Sequence, residues 1–455
     1  MDARERALEV AHREALRFLG SLEDRPVWPR AGVDDMDAVF GGPLPDDGLD
    51  PGDVVESLAR DADPGLVGIP GGRFFGFVIG GTLPAALAAD WLVSAWDQNS
   101  GSTTMTTAVA AVERTAGRWV CDLLGLPETA SVGFVTGAQV SNTVCLATAQ
   151  HAVLRRAGWD QVRQGLRGAP PVALVVGAHR HASIDRAARF CGWGSEELVV
   201  VPSDDQGRMR VDALAEAMAA LAGRPSIVCL QAGEVHTGAF DPFEELIPIA
   251  RRSGAWVHVD GAFGLWAGAS PRLRHLVAGV GGADSWTTDG HKTLNVPYDC
   301  GMAIVRDPAD SIAMFRTGGD YLMYSRLDPW DVTPELSRRG RGVPAWAALR
   351  SLGRSGVASL VEGMCANARR LADGLREMAG VSVVNDVEYT QVMFRLDDDA
   401  ATRELGAAVL RDGTSAMTGA EWAGRAVIRC SVSSWATTAD DVRRTLDAVR
   451  SLVPA

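Results

Sequence analysis

The chain has 455 residues, 47% of them hydrophobic and 22% charged, enough to bury a large core and more than one compact unit holds. A formal net charge of −13 excludes a protein built to neutralise nucleic-acid phosphates, which takes clustered Lys and Arg. Seven scattered cysteines, odd in number and never spaced C-x-x-C, exclude a disulfide framework and a zinc site, so no metal is expected and a reducing cytoplasm fits.

The N terminus enters an amphipathic helical pattern without the apolar run of a secretory signal. Gly, Pro or a charge interrupts every apolar stretch before about 18 residues, so no membrane span is expected and the protein should be soluble. Residues 1–68 combine that helix with a Pro, Gly and Asp-rich stretch and read as an arm of the kind that wraps a partner subunit. Over 69–335, apolar runs at 132–135, Val172–Val176, Leu198–Val201, Ser226–Leu230, Ala255–Val259, Ser285–Thr288 and Met302–Val305 alternate with helical stretches. The pattern predicts an α/β domain with a mainly parallel seven-stranded sheet covered on both faces. Such sheets bind ligands beyond their strand ends. A polar loop near 321–345 precedes a helix over 345–379, strand-like runs at 381–384, 390–395 and 426–432, and a last helix from about 438. Residues 336–455 therefore read as a smaller α+β domain.

Chemistry concentrates at those strand ends. Gly133-Phe-Val-Thr136-Gly137-Ala138-Gln139 is a strand, a small-residue turn and a helix start, whose free N–H groups suit a phosphate, although a plain helix entry looks the same. Neither G-x-G-x-x-G nor G-x-x-x-x-G-K-[ST] is present, which weighs against dinucleotide and nucleotide-triphosphate sites. His181 follows a strand and can present its ring to a flat cofactor, or serve as an ordinary structural histidine. Asp260 ends another buried strand, where a pyridinium nitrogen would pair its charge, and Ala262 sits two residues on; an Asp at a strand end is also a common helix cap.

Of the 44 basic residues 43 are arginine and one, Lys292, is lysine. Guanidinium stays protonated and forms no imine, so a composition with Arg at nearly every basic position either keeps Lys where a primary amine is needed or has retained one by chance.

Taken together the residues resemble the group II pyridoxal-phosphate decarboxylases, which include the aromatic amino-acid, tyrosine and glutamate decarboxylases. The likeness covers about 70–435, and the family's order of motifs recurs as Ala138/Gln139, His181 in H-x-S, Asp260/Ala262 in D-x-A, and His291/Lys292. The resemblance implies fold type I, the aspartate aminotransferase-like fold. It also implies pyridoxal 5'-phosphate as cofactor, and decarboxylation of an L-amino acid to the amine and CO2 by a two-fold homodimer. It would make Lys292 the Schiff-base lysine and Asp260 the ring-nitrogen partner, stack His181 on the ring, place His291 near the phosphate, and give proton return to Tyr321 of a mobile loop. On the substrate side, Phe75, Phe77 and Leu83 match the family's pocket wall, and Arg429 is positioned to meet a carboxylate or to form a structural ion pair. Three departures stand out: Ala138 replaces a second glycine, the loop after Tyr321 is short, and Gly233-Glu234-Val235-His236-Thr237 replaces Gly-Thr-Thr, leaving Glu234 or His236 to touch substrate. Two alternatives remain open at this stage: another reaction of the same cofactor, such as oxidative deamination or a carbon–carbon lyase step, and a non-catalytic scaffold.

Overall fold

The structure, a computed structural model, describes residues 2–316 and 327–453. The seven apolar runs form strands β1 (Ser131–Val135), β2 (Ala173–Gly177), β3 (Leu198–Val201), β4 (Ser226–Gln231), β5 (Trp256–Asp260), β6 (Ser285–Asp289) and β7 (Gly301–Val305). They join in one sheet of order β1-β7-β6-β5-β4-β2-β3. Strand β2 pairs in parallel with β3 and β4, β4 with β5, and β5 with β6, while β7 runs antiparallel between β1 and β6. The α/β class, the strand count and the mainly parallel sheet read from the sequence are all present.

Every residue of β4, β5, β6 and β7 is buried, the condition of central strands covered on both faces. Their periodicity is accordingly continuous instead of alternating. The helix Ala138–Arg156 is mostly buried between Ala138 and Leu154 and shares a core with Val135, Leu174, Ile227 and Trp256. Strands β5 and β6 are the exceptions in composition, because His258, Asp260, Thr287, Thr288 and Asp289 are polar and still buried. Burying such groups is tolerable where partners wait, as between Thr287 Oγ1 and Ser141 Oγ at 2.7 Å.

Two compact units divide the chain differently from the sequence-based boundaries. One contains Gly80–Arg369 with Asn385–Val392, and the other contains Met1–Ile79, Arg370–Val384 and Met393–Ala455. Residues 336–369 thus belong with the large sheet and not with the C-terminal unit. The cause is local: Arg338 is fully buried and donates to Glu113 Oε2 at 2.6 Å, to Ser100 O at 2.8 Å and to Phe134 O at 2.7 Å. Val343, at the start of the helix Gly342–Arg376, packs against Val93 and Val109. That helix kinks at Gly353, whose φ of 62° is cheap only for glycine.

The other unit is built on a four-stranded sheet of order β10-β11-β9-β8, from β8 (Ser382–Val383), β9 (Gln391–Arg395), β10 (Thr418–Trp422) and β11 (Arg425–Ser431). Strand β10 escapes the sequence pattern because Thr-Gly-Ala-Glu-Trp at a sheet edge has no buried residue. The segment 1–79 is part of this unit, not a separate arm: Val27 N donates to Gly413 O at 2.8 Å and Phe75 N to Ala416 O at 2.8 Å. Among the described residues no helix is long and apolar enough to cross a membrane.

Candidate active site

Four strands deliver side chains at one edge of the large sheet, where parallel strands expose their carboxyl ends. Strand β1 runs through Thr136 and Gly137 into the helix Ala138–Arg156, β2 ends four residues before His181, β5 ends on Asp260, and β6 ends on Asp289, three residues before Lys292. Strand β1 points the same way as β6 because each is antiparallel to β7.

Asp260 is buried, and its carboxylate takes neutral donors only. Oδ2 accepts from Asn142 Nδ2 at 2.9 Å and Ser183 Oγ at 3.4 Å, and Oδ1 accepts from the Ala262 N–H at 3.2 Å. Ser183 also meets His181 Nδ1 at 2.9 Å and donates its N–H to the same nitrogen, so its side chain lies between the histidine ring and the carboxylate, with one hydroxyl proton to give to either. His181 is the N-cap of the helix Ala182–Phe190, which fixes its backbone as well.

Lys292 Nζ lies 3.1 Å from Asp289 Oδ2, and His291 Nε2 lies 3.5 Å from the same oxygen. The Cys300 N–H donates to His291 Nδ1 at 3.1 Å, which leaves Nε2 as the protonated nitrogen facing Asp289. Burial pushes the His291 imidazole below its ordinary pKa; Asp289 opposes that shift and Lys292 reinforces it. Tyr298 stacks on His291 with ring centroids 4.3 Å apart. The segment from Gly80 is tied to the lysine loop: Gly80 N donates to His291 O and Leu83 N to Asn295 O. A Cβ on Gly80 would fall 2.0 Å from Lys292 O, so only glycine fits.

At the β1 turn no side chain caps the helix Ala138–Arg156, so its first N–H groups face outward without intrahelical acceptors. A Cβ on Gly137 would lie 3.2 Å from His291 Cε1 and 3.8 Å from Asp289 Oδ1, which puts the turn against the lysine loop. Gln139 directs Nε2 to Ser183 O at 3.3 Å. The backbone joins the remaining parts, because Asp289 N donates to Ala262 O at 2.9 Å. Ala138, Gln139, His181, Asp260, Ala262, His291 and Lys292 thus form one connected cluster.

The substrate-side candidates fare differently. Glu234 accepts from His236 N at 2.6 Å, Thr237 N at 2.7 Å and His236 Nδ1 at 3.0 Å, so its carboxylate organises its own turn. Those bonds outweigh burial and hold its pKa below the ordinary value. Phe75, Phe77 and Arg429 belong to the other compact unit, where Phe75 is fully buried, Arg429 sits on β11, and Phe77 is exposed with a φ of 52°. Tyr321 and its neighbour Tyr324 lie outside the described residues. Sequence reasoning missed Asn142, His258 and Asp289 as members of the cluster; Asp289, three residues before the lone lysine, carried the clearest signal.

The cluster fits pyridoxal phosphate on three observations. Among the described residues the buried Asp260 carboxylate receives only uncharged donors, an uncapped helix N terminus offers N–H groups to an anion, and the one lysine stands on Asp289, whose backbone N–H is bonded to Ala262 O. Asp289 Oδ1, buried beside the Gly137 turn, has no hydrogen-bond partner among the described residues.

Comparison with known proteins agrees. A family model described as the pyridoxal-dependent decarboxylase conserved domain matches residues 43–397. The L-2,4-diaminobutyrate decarboxylase of Rhizobium meliloti (strain 1021) is 29% identical over 385 residues, 80% of this chain and 74% of that protein. Tryptophan decarboxylase 1 of Oryza sativa subsp. japonica is 28% identical over 415 residues, 84% of this chain and 80% of that protein. The crystal structure of Oryza sativa TDC with PLP and tryptamine matches with a TM-score of 0.90 over 98% of this chain and 97% of that one, at 24% identity, and supports the fold type I architecture.

Proposed function

This chain belongs to the pyridoxal-dependent decarboxylase family, and we propose that Lys292, Asp260 and His181 carry the removal of CO2 from an L-amino acid, leaving the amine. Pyridoxal phosphate, when bound, supplies the electron sink for the bond to the leaving carboxylate. Lys292 provides the primary amine that holds the cofactor between turnovers, and Asp289, 3.1 Å away, is the carboxylate within reach of the proton that amine must shed. Asp260 keeps a proton on the ring nitrogen. His181, its Nδ1 held by Ser183, and Ala262 would help hold the ring. The first N–H groups after Gly137, with Ala138, Gln139 and His291, hold the phosphate.

Tyr321 returns the proton to carbon after CO2 leaves, a role that rests on its position 29 residues beyond the lysine in a polar loop. Leu83 and His236 remain proposed neighbours of substrate, Leu83 through its tie to the lysine loop. Phe75, Phe77, Glu234 and Arg429 are weaker candidates on the contacts described above. A cytoplasmic homodimer completes the reading. Its support is the helix Pro84–Trp96, which exposes Trp91, Leu92 and Trp96 as a second copy would cover them.

The observation that carries the proposal is the pairing of a lone lysine with a separate buried carboxylate in one hydrogen-bonded cluster. The experiment is a visible spectrum of the purified protein, followed by amine, CO2 and peroxide assays with the twenty amino acids. The expected result is a yellow protein giving amine and CO2 in equal amounts without peroxide. A protein that stays colourless after addition of pyridoxal phosphate refutes it, and aldehyde with peroxide replaces decarboxylation by oxidative deamination.

A further inference from the structure

Behind Asp260 runs a buried file of polar groups to which the proposed function assigns no role. Trp256 Nε1 donates to Ser285 Oγ at 2.9 Å, Ser285 Oγ meets His258 Nδ1 at 3.0 Å, His258 Nε2 meets Asn142 Oδ1 at 3.0 Å, and Asn142 Nδ2 donates to Asp260 Oδ2 at 2.9 Å. The residues come from β5, β6 and the helix Ala138–Arg156, and His258, Asn142 and Ser285 show no solvent exposure. Most parallel-sheet cores carry aliphatic side chains at such places, and a buried polar chain is tolerated only when every member is satisfied.

The direction of each bond follows from its ends. A carboxylate only accepts, so Asn142 must turn Nδ2 toward Asp260 and Oδ1 toward His258. Asn142 Oδ1 only accepts, so His258 carries its proton on Nε2. With one ring proton His258 then accepts at Nδ1, so Ser285 donates its hydroxyl there while accepting from Trp256. Burial lowers the His258 pKa from 6.5 to about 4, against the pull of Asp260, so one ring proton is the state at neutral pH. Five groups are therefore aligned with their donors aimed at one oxygen, and hydrogen bonds in such files polarise one another.

We propose that Asn142 and His258 are positioning residues for Asp260: an uncharged relay from Trp256 and Ser285 holds Oδ2 and leaves Oδ1, which takes only the Ala262 N–H, for the cofactor's ring nitrogen. The relay brings no positive charge, so the carboxylate's charge is not spent before the cofactor arrives. A Lys or Arg in the same place would neutralise Asp260 and release the ring proton. This inference rests on the proposed role of Asp260.

The test uses full-length protein loaded with pyridoxal phosphate, comparing N142A, H258F, H258Q, S285A and D260A by visible spectrum, its pH midpoint, cofactor affinity from fluorescence quenching, and the kcat and KM of the amino acid found active. Loss of one hydrogen bond to a charged acceptor is expected to lower kcat by about tenfold or more in N142A and H258F, with KM held within about twofold and the pH midpoint displaced. H258Q keeps a donor for Asn142 Oδ1 and should recover most of the loss. If N142A fails to fold, S285A breaks the file two members further out, beyond His258, and should move the same spectral midpoint in the same direction. Wild-type spectra, midpoints and kcat in N142A, H258F and S285A, alongside an inactive D260A, overturn the relay and leave the role of Asp260 intact. A D260A protein with wild-type spectrum and turnover overturns both.

Discussion

Replacing His258 by glutamine should change how stability depends on pH more than it changes stability at neutral pH. His258 has no exposed surface, and burial lowers its pKa from 6.5 to about 4. Between those values the unfolded chain holds a proton that the folded chain gives up. Unfolding takes up that proton, so stability is intact above pH 6.5 and is lost as pH falls toward 4. The whole effect is ~3 kcal/mol, and the part that falls between pH 7.5 and 5.5 is ~1.3 kcal/mol. Asp241 works in the opposite sense, because burial raises its pKa from 3.8 to about 6 and its contribution is lost as pH rises through 6. Over the same window Asp241 returns ~0.8 kcal/mol on acidification and so offsets somewhat more than half of the His258 loss in the wild type. Subtracting the H258Q curve removes the Asp241 part, which both proteins share. Urea denaturation of cofactor-free protein at pH 7.5 and 5.5 measures the difference. H258Q should gain ~1.3 kcal/mol relative to wild type on going to the lower pH. A difference near zero, or of opposite sign, would mean that His258 is not held neutral by burial.

Other outcomes follow from single contacts. A Cβ on Gly301 would fall 2.4 Å from Gly137 Cα, so G301A must push β7 and the phosphate turn apart. It should cost ~1–3 kcal/mol in urea and weaken cofactor binding in a fluorescence titration. K292A should give no visible band with pyridoxal phosphate, whereas an unchanged band would move the anchoring amine elsewhere. R338A leaves Glu113 buried and unpaired and should cost ~3–5 kcal/mol, while the double change R338M/E113Q should recover most of it by denaturation midpoint. Y321F should keep the cofactor spectrum and lose amine formation or divert it toward aldehyde and peroxide, and unaltered amine output would remove Tyr321 from the mechanism.

Strand composition made the large sheet readable, because central strands buried on both faces are largely apolar, and all seven runs lie within a residue or two of the observed strands. The lone Lys292 and the order of His181, Asp260 and His291 could be picked out of the sequence because the chemistry proposed for them restricts residue type, an imine to a primary amine above all. The sequence was silent on partners distant in the chain. Asn142 meets Asp260 across 118 positions and His258 across 116, and no local pattern marks either pairing. Nor could composition show that Arg338 is buried on Glu113, 225 positions away, which carries residues 336–369 into the large unit. Local periodicity and residue chemistry are properties of neighbours along the chain, and these the sequence determines by itself. Which buried polar groups satisfy one another, and so how Asp260 is held and where the units divide, depends on contacts that exist only once the sheet has formed, and this the tertiary structure decided.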